Sequence, residues 1–114
     1  MSFGPSITTR PPMKVTTDIL DAAYELAKKA YTATSHADAK GKLHEQFPSV
    51  NWDDLVEAYM RGCDLAEKCY EIGEKARRES IPDQQAIGLL TERFPGFSVK
   101  TYNDALTRGW FLSR

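Results

Sequence analysis

A self-match at an offset of 47 residues constrains the fold of this chain more than any other feature. Ala39–Glu67 aligns without gaps onto Ala86–Arg114, and ten of the 29 positions are identical. The identical pairs are Ala39/Ala86, Gly41/Gly88, Leu43/Leu90, Glu45/Glu92, Phe47/Phe94, Pro48/Pro95, Ala58/Ala105, Arg61/Arg108, Gly62/Gly109 and Leu65/Leu112. Average composition gives roughly two matches by chance. Upstream the register slips by a residue or two. Tyr24, Leu26, Lys29 and Ala30 fall on Tyr70, Ile72, Lys75 and Ala76, and Ser35-x-x-Asp38 falls on Ser80-x-x-Asp83. A period of this length marks a repeated supersecondary unit that cannot bury its apolar face alone and stacks on its copy.

Each unit reads as helices. Ile19, Leu20, Ala23, Leu26, Ala27, Ala30 and Tyr31 recur at helical spacing behind a threonine cap, predicting a helix over about 17–34. Ser35-x-x-Asp38 resembles a capping box for a second helix over about 36–47, which Pro48 ends. Asn51-x-x-Asp54 caps a third. Its apolar positions hold the period from Trp52 past Tyr70 to Ala76, so one long helix over about 52–79 is expected to serve both units. Gly62 and Gly73 each cost about 1 kcal/mol there relative to Ala, and the sequence leaves open whether the helix kinks at Gly62. Ser80 is read as the cap of a fourth helix and Pro82 as its first turn. The last is predicted over about 99–108, with Gly109 as its C-cap. Gly41 and Gly88, at matching places in the second and fourth helices, suggest close backbone approach. Strand signals are absent. The expected class is all-α, about five helices, with repeat one at about 17–62 and repeat two at about 63–114 of a single domain, 16–114. Residues 1–15, broken by Gly4, Pro5, Pro11 and Pro12, read as an extended arm.

Composition narrows function by exclusion. Fifteen basic residues against sixteen acidic give a net charge of −1, which disfavours coating nucleic acid or anionic membrane by bulk charge. Residues 1–70 hold 8 basic and 10 acidic residues, and residues 71–114 hold 7 and 6, so neither half is a basic patch. No apolar run is long enough to span a bilayer, and Met1–Lys14 has no apolar stretch of secretory type. A cytoplasmic location is the simplest expectation, in keeping with two cysteines and no disulfide framework.

The chemistry-bearing residues point away from catalysis. His36, His44, Cys63 and Cys69 do not have the spacing of a zinc site. No GxSxG, phosphate-binding glycine loop or HExxH is present. No catalytic, cofactor or metal residues are therefore assigned. Glu45/Glu92 and Arg61/Arg108 recur in both units, but helix geometry sets each Arg roughly 9 Å beyond the level of its Glu, so pairing within a hairpin is not expected. Arg61 and Arg108 are candidate partner contacts, since Arg is enriched at interface hot spots. Trp52, Phe97, Trp110 and Phe111 sit near turns or the C-terminus and are candidate exposed anchors for a protein partner or self-association.

Leu43–Pro48 and Leu90–Pro95, each with Phe-Pro at a helix end, are locally similar to the CUE and UBA ubiquitin-binding modules. The three-short-helix spacing and the terminal di-leucine of CUE are missing, so membership is not assigned. A duplicated helix-turn-helix is the competing reading, its second copy presenting Lys100, Thr101, Tyr102, Asn103 and Arg108. In the first copy Asp53, Asp54 and Glu57 would face phosphates with the wrong sign. The sequence therefore favours a small non-enzymatic protein-interaction module, a regulator, inhibitor or adaptor, over a DNA-binding regulator.

Overall fold

The computed structural model describes residues 15–112. Five helices follow one another: α1 (Thr17–Ala27), α2 (Ala33–Gln46), α3 (Trp52–Glu79), α4 (Asp83–Arg93) and α5 (Val99–Leu112). There is no strand among the described residues. Of the expected arm only Val15 is described, and it is buried in the core; the rest lies outside the described residues.

The helix ends have local causes. Thr16 caps α1 by accepting from the Ile19 amide. That helix stops at Ala27, earlier than predicted, and the Ala30 amide donates to the Ala27 carbonyl as the chain turns. The cap of α2 is Thr32 rather than Ser35. Thr32 and Ser35 form a reciprocal capping box in which Ser35 occupies the third helical position. Asn51 caps α3 through Asp53 N, 2.7 Å from its Oδ1. Ser80 does not cap α4. It ends α3 in the left-handed conformation, φ 54°, and Pro82 takes the N-cap of α4 without a side-chain bond. Ser98 caps α5, accepting from Thr101 N at 3.2 Å.

α3 is continuous over its 28 residues. It packs chiefly against α1 and α5, with α2 and α4 closing the ends. The close approaches fall on other glycines than expected. Gly41 and Gly88 face open space, with nothing within 4 Å of where a Cβ would stand. Gly62 instead lies against the backbone of Ala23 and Tyr24, and a Cβ there would stand 2.7 Å from Tyr24 N. Gly73 and Gly109 meet across α3 and α5, and Gly109 also presses on the Cys69 carbonyl. Gly109 is therefore interior to α5 rather than its C-cap, because the crossing needs a residue with no side chain.

Around these crossings Leu20, Leu43, Leu55, Leu65 and Leu90 are fully enclosed, with Tyr24 and Tyr59 the largest buried side chains. The α4–α5 turn is stapled by Tyr102, whose hydroxyl donates to the Phe94 carbonyl and accepts from Phe97 N. No helix among the described residues is long and apolar enough to cross a membrane.

Candidate interaction surface

The position of α5 against α1 builds the surface. Ser98 N donates to Asp21 Oδ1 at 3.0 Å, and Tyr24 Oη donates to Asp104 Oδ2 at 2.6 Å. Contacts that advance together along both helices mean that α1 and α5 run in the same sense. Lys28 Nζ reaches the same Asp104 oxygen at 3.0 Å and Glu25 at 3.1 Å. Burial works against the charge on Asp104, but the hydrogen bonds from Tyr24 and Lys28 outweigh it and hold the carboxyl below its ordinary range. Burial also pulls Lys28 down, yet its bonds to Asp104 and Glu25 leave it raised. The Tyr24 phenol is raised by burial first and by Asp104 second.

A cleft of about 340 Å³ opens beside this cluster, lined by Lys28, Lys29, Tyr31, Asp104, Thr107 and Arg108. Tyr31 is 81% exposed. Arg108 is half-buried and donates from Nε to the Ala66 carbonyl at 3.4 Å. Among the described residues no carboxylate lies within ion-pair distance of Arg108 or Lys29. On the other side of Thr107 a groove of about 280 Å³ is lined by Asp83, Leu106, Thr107, Trp110 and Phe111. Trp110, Phe111 and Leu112 are 38%, 59% and 58% exposed. Trp110 and Phe111 touch edge to face, their ring centroids 5.8 Å apart.

Of the residues singled out from sequence, Arg108, Trp110 and Phe111 thus come together on α5. Arg61 lies elsewhere. Its Nη2 donates to the Pro95 carbonyl at 3.2 Å, beside a cleft of about 80 Å³ shared with Asp64 and Arg93. Trp52 is half-exposed with its ring edge on His44. Phe97 is a correction. It is buried at 8% exposure against Tyr102, so it anchors the α4–α5 turn and offers nothing to a partner. The helix-turn-helix set does not share a face either, because Thr101 and Tyr102 are in the core. Lys28, Lys29 and Tyr31 were not singled out as a site, since their role depends on α1 lying beside α5.

Among the described residues, one cluster with nucleophile chemistry joins α2 to α3. His36 Nδ1 bonds the Tyr59 hydroxyl, and Cys63 Sγ lies 4.0 Å from the same nitrogen. Burial pushes the Cys63 thiol up, away from the thiolate a nucleophile needs. Cys69, buried under α5, is pushed up to about 11 by burial. Both cysteines are free thiols. Among the described residues no group of three His, Cys, Asp or Glu side chains is placed to hold a metal.

No family model, curated protein or solved structure matches this chain.

Proposed function

We propose that this chain is a small helical interaction protein, non-enzymatic and cytoplasmic, that binds another protein through the last turn of α5. The observation that carries the reading is the partly exposed run Trp110-Phe111-Leu112, of which Trp110 and Phe111 line a groove in the last turn of the helix. Contiguous exposed aromatic surface of this kind is costly to leave in water and is characteristic of protein-binding sites.

The finer architecture belongs to the same proposal: a duplicated unit of about 47 residues whose copies share α3. Matching positions make matching contacts. Gly62 rests on Ala23 and Tyr24, while Gly109 rests on Cys69 and Tyr70. Phe47 and Phe94 end α2 and α4 with φ of −130° and −129°, their amides bonded to Leu43 and Leu90. Asn51 and Ser98 cap the helices that follow.

The test is site-specific photocrosslinking in the native host, with p-benzoylphenylalanine replacing Phe111. Glu57, exposed and about 24 Å along α3 from Gly73 at 1.5 Å per residue, serves as the control. The expected result is a discrete protein adduct at position 111 that is absent at position 57. The same adducts at both positions, or none at 111, would overturn the reading.

A further inference from the structure

The two recesses beside α5 form one surface. Thr107 lines both, so the basic cleft and the aromatic groove meet along a single exposed ridge. The two ends differ in charge. The cleft holds three cations, Lys28, Lys29 and Arg108; Lys28 is paired with both Asp104 and Glu25, so three cations against two carboxylates leave one positive charge over, carried by Lys29 and Arg108. Asp104 is already engaged by Tyr24 and Lys28. The guanidinium of Arg108 is fixed through Nε to a backbone carbonyl, which spares most of its five donors and reduces the entropy lost on engaging an anion. Lys29 and Tyr31 flank it on the turn after α1. The groove beyond Thr107 is lined by the apolar side chains of Leu106, Trp110 and Phe111 beside the polar Thr107, with Asp83 its one acidic lining residue.

We propose that this surface takes an acidic segment of a partner protein in a fixed orientation. Its carboxylates lie on Arg108 and Lys29, and an adjoining apolar side chain enters the groove beside Trp110 and Phe111. Charge complementarity selects the occupant: a basic segment would meet Arg108 and Lys29 at the cleft, and a purely apolar one would leave those two without a counter-charge. Asp83 sets the polarity, since a carboxylate placed in the groove would face it. The inference rests on the interaction reading above and adds the chemistry of the partner.

The experiment uses the full chain and a fluorescein-labelled peptide, Glu-Glu-Asp-Leu-Phe-Glu-Glu, read by fluorescence anisotropy. Saturable binding that weakens with added salt is expected, with no binding of the Lys-Lys-Lys-Leu-Phe-Lys-Lys peptide. Lys29→Glu should lower affinity by about tenfold or more, since it replaces an attraction with a repulsion at a desolvating contact. Lys29 is exposed and makes no ion pair among the described residues, so the variant is expected to keep its circular dichroism spectrum and melting temperature. Phe111→Ser should lower affinity for the acidic peptide but not change its salt dependence. No binding of the acidic peptide, equal binding of the basic one, or unchanged affinity in Lys29→Glu would overturn the proposal. Tighter binding of an oligo-dT strand than of the acidic peptide would overturn it in favour of nucleic acid. A discrete adduct at position 111 together with any of these failures would discard the acidic partner and keep the interaction reading.

Discussion

The two glycine crossings of the molecule make the same backbone contact and end in different surroundings. At the first, Gly62 of α3 lies on Ala23–Tyr24 of α1; at the second, Gly109 of α5 lies on Cys69–Tyr70 of α3. Tyr24 is fully buried and its hydroxyl is held by Asp104 of α5. Tyr70 is 44% exposed. The difference is one of cover. α5 reaches the tyrosine of the first crossing through Asp104, whereas the tyrosine of the second is partly exposed, as are Trp110, Phe111 and Leu112 at the end of α5.

The largest expected effect separates the crossings directly. Gly62→Ala puts a Cβ against backbone that cannot rotate away, in the middle of the longest helix, and should cost about 3 kcal/mol of global stability. Gly109→Ala clashes at least as closely with the Cys69 carbonyl, but only three described residues of α5 follow it. That turn can peel off, so the cost should fall to about 1–2 kcal/mol, with faster amide exchange confined to the end of α5. Urea melts with hydrogen exchange read both quantities. Equal global losses would mean that the second crossing is as enclosed as the first.

A second comparison uses the tyrosines themselves. Tyr24→Phe removes a donor from a carboxylate that is only partly hydrated and should destabilise by about 1 kcal/mol. Tyr70→Phe touches an exposed ring and should stay within about 0.5 kcal/mol of the parent chain. A loss at Tyr70 matching that at Tyr24 would show that its hydroxyl is held as firmly.

Glycines away from the crossings should behave in the opposite sense. Gly41→Ala and Gly88→Ala meet nothing within 4 Å and gain helix propensity, so each should stabilise by about 0.5–1 kcal/mol in the same melts. Destabilisation at either position would show that α2 or α4 packs more closely there than its open surroundings indicate.

These glycines also mark how far the sequence could be read. The bounds of α3, Trp52–Glu79, were legible because the apolar period runs unbroken from an asparagine cap. Which glycines carry close contacts was not, because the recurrence of a residue at an offset of 47 does not show which face of its helix it occupies. Gly109 resembled a C-cap because it ends a periodic run, and only the contact with Cys69 explains why the helix continues through it. Ser35 and Ser80 fit capping patterns that Thr32 and Pro82 took instead, since neighbouring residues compete for each helix start. Trp110 and Phe111 stood out as apolar residues near the end of the chain. The cleft beside them did not, because Lys28 and Arg108 are brought together by pairs such as Asp21–Ser98 and Tyr24–Asp104, far apart in sequence.

The smallest effect is a pH dependence that belongs to the covered crossing alone. The Asp104 carboxyl is lowered in the folded chain, so between its folded and unfolded values the unfolded state binds more protons. Its contribution is complete above the ordinary carboxylate range and is lost as the pH falls through the lowered folded value. Tyr24 and Lys28 are both raised, so their contributions are complete below about pH 10 and are lost as the pH rises through their folded values. The urea midpoint of the parent chain should therefore exceed that of Asp104→Asn by a constant amount from about pH 5 to 9, and the gap should narrow at both extremes. The Asp104 side chain is 44% exposed, so solvent screening keeps the gap below about 1 kcal/mol. A gap that persists undiminished at pH 2 would show that the ionised carboxylate is not what joins α5 to α1.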